Sequence, residues 1–283
     1  MKKQAPIALL AAGKTRDSFL RRVPHITERL GPVGSTSLRL ASRIVNILQA
    51  GVPVGTLEAF AQAAVILISV PDSWLEQFQD ELLRCDFRWK EKTVLLFDSK
   101  MDSAALGKLA DAGAAVGSIT PVPLFDEKLA VVEGSRKAVQ AARKLMRSPG
   151  VRVLTMDAGQ KSLFTAGTGF ATSLALPLLA ASVETLRASG IDQNQALSLA
   201  EKLFQKTMRT YLKSGRRGWE GALSAQDRDG VRRQVQALFR ESPLLAAYYY
   251  ENAIKVSEIL KQDPAWIREA VHEVYSTKAA GAI

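Results

Sequence analysis

The sequence predicts an α/β domain built on a parallel sheet with helices on both faces, followed by an all-helical domain. Three observations support this fold class. Short apolar runs alternate with helical patterns from Ile7 to Pro121, which is typical of strand–helix–strand units. Helical patterns dominate the remainder of the chain. The length of 283 residues exceeds what one ordinary core requires, so we predict two domains, residues 1–155 and 156–283.

The elements of the first domain follow from residue type and periodicity. A strand is predicted wherever β-branched and other apolar residues run together, most clearly at Ala64–Val70, which Pro71 closes. A helix is predicted where apolar residues recur every three or four positions. The predicted strands are Ile7–Ala12, Arg29–Val33, Val52–Val54, Ala64–Val70, Thr93–Phe97 and Ala114–Ile119, and the helices are Leu38–Gln49, Trp74–Cys85 and Ala104–Ala112.

Beyond Pro121 the pattern is mainly helical. The stretch Ser162–Val183 carries no charge and is long enough to span a membrane, but its Gly, Ser and Thr content and Pro177 favour a helix buried at a domain or subunit interface. One further strand is predicted at Val151–Thr155. The predicted helices are Arg136–Met146, Gln160–Ala188 with an interruption near Pro177, Gln195–Leu212, Asp229–Phe239 and Pro243–Lys261.

The composition excludes some classes of site and partner. A single cysteine, Cys85, excludes an internal disulfide and a cysteine-based zinc site, and it suits a reducing cytoplasm. The formal net charge of +10 favours anionic ligands. The basic residues are scattered rather than gathered in a run, so we expect nucleotide phosphate rather than nucleic acid or a membrane as the partner.

The turn after the first strand is a candidate phosphate-binding loop. A dinucleotide-binding (Rossmann) domain uses glycines there for a tight turn, for close approach to the pyrophosphate and for helix packing. The sequence offers Ala11, Ala12, Gly13, Lys14, Thr15 and Arg16, so only the middle glycine is present. Arg16 departs most from the pattern, although it could turn outward with Lys14 and bind phosphate by charge.

The end of the second strand bears on cofactor choice. Ser35, Thr36 and Arg39 stand where an acidic residue would bind the ribose diol of NAD, and hydroxyls with a guanidinium suit the 2′-phosphate of NADP. The alternative is a Ser/Thr helix cap followed by surface arginines. Other candidates for cofactor binding are placed at the carboxyl ends of strands, where ligands of parallel sheets bind: Val70, Pro71, Asp98 and Ser99.

Five segments, taken in order, carry a resemblance to a known family. They are Val70–Asp72, Phe97–Ser99, Ala112–Pro121, Leu163–Gly167 and Gly221–Asp227. Their order and spacing are similar to those of Rossmann-like oxidoreductases whose C-terminal helical domain has no assigned function, distant relatives of pyrroline-carboxylate reductase and of the 6-phosphogluconate dehydrogenase superfamily. The resemblance implies a nicotinamide cofactor, a small-molecule substrate and a homodimer formed through the helical domain.

The sequence departs from this family at the positions that carry its chemistry. The family usually has histidine at Thr120, Tyr-His at Phe164-Thr165 and asparagine at Ser173. The superfamily often has a catalytic lysine on the first helix after the sheet, and Lys161 lies near that place, four residues before Thr165 and thus on the same helical face. The alternative for Lys161 is an ordinary exposed lysine. The catalytic candidates are therefore Lys161, Thr165, Thr120 and Asp227, and no metal site is predicted.

Two main hypotheses for the function follow. The first is an NADP-dependent oxidoreductase acting on a small carbonyl, imine or hydroxy compound, with eroded cofactor and catalytic motifs. The second is a non-catalytic Rossmann-like binding or scaffold protein that has lost its cofactor, which the missing glycines and histidines favour. A protein that binds nucleic acid or a membrane surface through its charge is the third.

Overall fold

A computed structural model of the chain describes residues 7–12, 27–97, 99–124, 128–147 and 150–279. The chain divides into two compact units, Met1–Thr168 and Gly169–Ile283. The first unit is an α/β domain and the second is helical, so the predicted fold class is confirmed.

An eight-stranded sheet forms the centre of the first unit. Its strands stand in the order β3-β2-β1-β4-β5-β6-β7-β8. Every neighbouring pair is parallel except β6 and β7, which pair in antiparallel fashion from Gly117↔Gly134 to Pro123↔Lys128. The strands are β1 Ile7–Ala11, β2 Leu30–Gly34, β3 Val52–Pro53, β4 Val65–Ser69, β5 Thr93–Phe97, β6 Ala115–Pro123, β7 Lys128–Gly134 and β8 Val151–Thr155.

Helices cover both faces of this sheet, because the central strands are apolar on both sides. In β1, Ile7 and Leu9 belong to one buried cluster and Ala8 and Leu10 to another, as the alternation of side chains along a strand requires. The helices of the first unit are α1 Leu38–Leu48, α2 Leu75–Leu83, α3 Gly107–Asp111 and α4 Arg136–Met146, and α5 Lys161–Ala171 begins in it; α1 and α4 pack on the first cluster, and α2 and α3 on the second.

The second unit has its own apolar core. Val231, Val235, Ile267 and Val271 are buried together, and Tyr249 and Tyr250 pack partly buried against them. The helices are α6 Ala175–Ala188, α7 Gln193–Ser214, α8 Arg228–Glu241, α9 Pro243–Ile259 and α10 Ala265–Ala279.

Three features differ from the sequence prediction. Strand β7 was not predicted, because a buried apolar run as short as Leu129–Val132 has no periodicity that separates a strand from a helix. Helix α10 was not predicted either. The break in the long apolar helix falls between Ala171 and Ala175 rather than at Pro177. Pro177 lies in the first turn of α6, where its missing N–H leaves no helical hydrogen bond unmade.

The apolar segment after the sheet is exposed in the single chain. Leu163, Phe170 and Leu176 have exposed fractions of 69%, 67% and 64%. Burial of this segment, which the sequence led us to expect, is therefore not provided within one chain. Among the described residues, Lys161–Ala188 is also the one helical segment whose length and hydropathy would suffice to cross a membrane.

Candidate active site

The sheet has a topological switch point between β1 and β4. The chain leaves β1 towards β2 and β3 on one side, whereas β4, β5 and β6 follow on the other. In sheets of this topology, ligands bind at the carboxyl ends of the strands beside such a point. Ala11, a predicted cofactor residue, ends β1 fully buried opposite Ser69.

Several predicted cofactor residues lie outside the described residues. They are Gly13, Lys14, Thr15 and Arg16 of the candidate phosphate loop, and Asp98 after β5. The prediction that this loop binds pyrophosphate therefore stays a prediction.

A cavity of about 400 Å³ opens at the carboxyl end of β2. Gly34, Ser35 and Thr36 line one side of it. The hydroxyl of Ser37 caps α1 by accepting a hydrogen bond from the amide of Leu40 at 3.3 Å, so the cap prediction applies to Ser37. The Ser35 hydroxyl is buried and has no hydrogen-bond partner among the described residues. A buried hydroxyl without a partner is costly, so Ser35 suits a ligand that supplies one.

The charged groups at this cavity differ from those predicted. Arg39 is exposed on the first turn of α1 and is not among the residues that line the cavity. Arg84, at the end of α2, lines it together with Glu58 and Glu81. Sequence reasoning missed these three because nothing in their local pattern places them beside β2. Burial raises the pKa of the neighbouring Cys85 thiol, and the carboxylates of Glu58 and Glu81 raise it further.

A polar contact joins the carboxyl ends of β4 and β5. The Ser99 hydroxyl donates a hydrogen bond to Asp72 Oδ1 at 2.8 Å and accepts one from the amide of Met101 at 2.9 Å. Val70 and Pro71 precede Asp72 at this edge and are half-buried. The contact joins Ser99 to Asp72, the residue that directly follows Val70 and Pro71. The prediction that Val70, Pro71 and Ser99 bind a cofactor stays a prediction.

The catalytic candidate Lys161 belongs to a buried polar group that we call the Lys161 cluster: Lys161, Ser118, Glu133 and Ser103. Only 1% of Lys161 is exposed, so the alternative of an ordinary surface lysine is wrong. Its Nζ donates hydrogen bonds to the carbonyl of Met101 at 3.0 Å and to Ser118 Oγ at 3.4 Å.

The carboxylate of Glu133 is the acceptor of the Lys161 cluster. Its Oε1 accepts from the Ser118 hydroxyl at 2.5 Å and from the Ser103 amide at 2.8 Å, and its Oε2 accepts from the Ser103 hydroxyl at 2.6 Å. Sequence reasoning missed Ser118, Glu133 and Ser103. Ser118 and Glu133 meet through the antiparallel pairing of β6 with β7, which was not predicted.

Of the other catalytic candidates, Thr120 and Thr165 belong to the first unit and Asp227 to the second. Thr120 lies two residues after Ser118 on β6 and thus on the same face of the sheet, and its buried Oγ1 has no hydrogen-bond partner among the described residues. Thr165 donates its hydroxyl to the carbonyl of Lys161 at 2.9 Å, one turn along α5. Asp227 belongs to the second unit and caps α8, where Oδ1 accepts from the amide of Gly230 at 2.8 Å.

The comparisons with known proteins place this arrangement in a known architecture. Residues 129–255 match the model of a domain of unknown function, DUF2520. No curated protein matches the sequence. Among solved structures, a Bacteroides fragilis protein provisionally named an NADP oxidoreductase has a TM-score of 0.68 at 15% identity, covering 90% of this chain and 98% of its own.

Two further structures extend the likeness. A pyrroline-5-carboxylate reductase from Coxiella burnetii has a TM-score of 0.55 at 12% identity, covering 96% of this chain and 98% of its own. An imine reductase variant from Myxococcus stipitatus, solved with NAD⁺, has a TM-score of 0.58 at 15% identity, with coverage of 98% and 95%. The chain has the fold of these reductases. The resemblance that the sequence motifs indicated is therefore confirmed at the level of the fold.

Proposed function

We propose that the protein is an oxidoreductase that uses a nicotinamide dinucleotide to reduce a small carbonyl or imine compound or to oxidise the corresponding hydroxy or amino compound. The observation that carries the proposal is the topological switch point between β1 and β4, where sheets of this kind bind their ligands, together with the cavity at the carboxyl end of β2. Structures of the same fold are named as NADP-dependent or were solved with NAD⁺, which supports the same class of cofactor here.

The residues at the carboxyl end of β2 fit the adenosine half of such a cofactor. The Ser35 hydroxyl, which has no partner among the described residues, and the Thr36 side chain supply hydrogen bonds. Arg84, which lines the cavity beside Glu58 and Glu81, supplies positive charge for a 2′-phosphate, with Arg39 on the first turn of α1 as the other basic candidate. We therefore propose NADP as the preferred cofactor. Gly13, Lys14, Thr15 and Arg16 would bind the pyrophosphate, with Ala11, Val70, Pro71, Asp98 and Ser99 along the edge.

The bound cofactor supplies hydride chemistry, and the protein orients the substrate and moves a proton. We propose that the Lys161 amine is the proton donor or acceptor and that the unpartnered Thr120 hydroxyl binds the reacting heteroatom of the substrate. Thr165, one turn beyond Lys161, would line the same face of α5. Asp227 stays a prediction as a site residue, because its carboxylate already serves as a helix cap.

Titration with NADPH and NADH tests the proposal. Micromolar binding of NADPH, weakened about tenfold or more by Arg84→Glu, is the expected result because the change places a further carboxylate in the cavity that would hold the 2′-phosphate. Arg88→Glu is the matched control, since Arg88 is exposed, pairs with Glu91 and does not line the cavity. Tighter binding of NADH would reverse the preference between the two cofactors.

The second candidate function is a scaffold or binding protein without a cofactor. It is favoured by the candidate phosphate loop, which keeps one of three glycines, and by Thr120 in place of a family histidine. The same titration separates the two functions. If neither NADPH nor NADH binds at millimolar concentration, the oxidoreductase is excluded and the scaffold function remains.

We further propose a homodimer formed through the helical unit and located in the cytoplasm. Leu176, Leu212 and Leu244 of that unit are at least 64% exposed, and apolar surface of this kind is normally covered by a partner. Light scattering should give twice the chain mass of 30.8 kDa. A monodisperse monomer at micromolar concentration would contradict the dimer. Sedimentation of the protein with lipid vesicles would indicate that a membrane covers the apolar surface instead.

A further inference from the structure

The hydrogen bonds of the Lys161 cluster run in one direction. The Ser118 hydroxyl has a single proton, which it donates to Glu133 Oε1 at 2.5 Å. Its oxygen is therefore left to accept, and the donor that reaches it is Lys161 Nζ at 3.4 Å. The resulting order is amine to hydroxyl to carboxylate, with all three side chains at most 1% exposed.

Further hydrogen bonds hold the Glu133 carboxylate in the position where it accepts from the Ser118 hydroxyl. Two of its three donors come from one residue, Ser103, whose amide and hydroxyl engage both carboxylate oxygens. A buried carboxylate is costly unless it is both hydrogen-bonded and paired with a cation. Among the described residues of the contributing segments, the other charged side chains are Lys100 and Lys128, which are exposed, and Asp102, whose carboxylate caps the amide of Ala104.

We propose that Glu133 is a positioning residue, which holds the Lys161 amine through Ser118 on the sheet face that also carries Thr120. The inference rests on the proposed oxidoreductase function and deepens it. The Thr120 hydroxyl, which has no partner among the described residues, lies two residues beyond Ser118 on β6 and on the same face of the sheet.

Three variants test this role. Glu133→Gln keeps the shape of the side chain and removes its charge. Ser118→Ala keeps the charge and breaks the link to the amine. Ser103→Ala is the matched control, since it removes a donor to Glu133 and leaves the contacts of Lys161 in place.

The first measurement does not require activity. In ¹⁵N-lysine NMR, with the Lys161 signal assigned by its loss in Lys161→Met, the pH at which Lys161 loses its proton should fall by about one unit or more in Glu133→Gln, because a stabilising charge is removed. In Ser118→Ala, proton exchange at Nζ should accelerate at least severalfold. Ser103→Ala should change the Lys161 titration and the proton exchange at Nζ less than the other two variants do. A purely structural role would lower the melting temperature of all three variants and leave the Lys161 titration unchanged.

The second measurement is the pH profile of kcat/KM for reduction of a small imine or ketone with NADPH. If the profile shifts in the same order as the NMR titration, both proposals are supported. If the NMR titration shifts but the unsubstituted protein has no turnover, the positioning role stands and the proposed function fails. An unchanged Lys161 titration in Glu133→Gln together with unchanged proton exchange at Nζ in Ser118→Ala overturns the positioning role whether or not turnover is present. Should Glu133→Gln fail to fold, Ser118→Ala decides alone.

Discussion

Gly134 is the position at which one added methyl group should do most damage to the candidate site. It ends β7 directly after Glu133 and has φ +126°, a conformation that side-chain-bearing residues rarely adopt. A methyl group at this position would clash with the backbone of β6, at the carbonyl oxygen of Val116 and the Cα of Gly117. Both atoms belong to the backbone of the paired strand, so neither can move without breaking the register that joins Ser118 to Glu133.

The magnitude of Gly134→Ala follows from these two effects. The unfavourable backbone conformation costs about 1–3 kcal/mol, and overpacking of a close-packed site costs about 1–3 kcal/mol more. We therefore expect a loss of about 2–6 kcal/mol in the free energy of unfolding. For a chain of this size that corresponds to a fall in the melting temperature of roughly 4–24 °C.

The assay is thermal and urea unfolding followed by circular dichroism. Gly159→Ala is the matched control, because Gly159 also has a positive φ, +78°, but no atom lies within 4 Å of its added methyl group. The control should lose only about 1–2 kcal/mol. If the two variants were equally stable, the steric contribution would be refuted and with it the tight register of the hairpin.

Two further residues give predictions about stability. Lys92 donates to the carbonyls at the end of the 3₁₀ turn Leu57–Gln62 and to that of Ala63 at 2.7 Å, so Lys92→Met should cost about 2 kcal/mol in urea unfolding. Burial lowers the pKa of Lys92 from its ordinary value of 10.5. Between the lowered pKa and 10.5 the unfolded chain therefore binds more protons than the folded one, and the free energy of unfolding should rise with pH up to about 10.5. This rise should be absent in Lys92→Met. Asp227→Ala should cost about 1 kcal/mol through loss of the α8 cap, whereas Asp227→Asn should cost much less.

The sequence was sufficient to predict most of the sheet because its central strands are buried on both faces. Such strands appear as uninterrupted apolar runs, and β5 was predicted with its bounds Thr93–Phe97 unchanged. Helix α1 was equally predictable from the sequence, because it combines a Ser37 cap with strong apolar periodicity. Strand β7 was not predicted, because it pairs with β6 by a reversal of chain direction that no local sequence pattern indicates.

The candidate site was less predictable than the fold, for a related reason. Lys161 was identified through the family resemblance, which implies a lysine on the first helix after the sheet. Its partners Ser118 and Glu133 depend on the pairing of two strands, and Arg84 reaches the cavity after β2 from the end of a helix that belongs to another part of the chain. Residues brought together only by tertiary structure leave no signal in one sequence.

The Lys161 cluster also bears on the choice between an oxidoreductase and a scaffold. Replacing a buried group of charged and polar residues by apolar residues of similar size is often neutral or stabilising, so such a group is weak evidence for stability. A scaffold therefore gains little from burying Glu133 and Lys161, whereas a reductase without histidine at position 120 needs another fixed source of a proton. The variant Glu133→Leu with Ser118→Ala and Lys161→Leu separates the two cases. Full stability together with loss of turnover would show that the protein maintains this cluster for chemistry, and loss of folding would show that it maintains the cluster for structure.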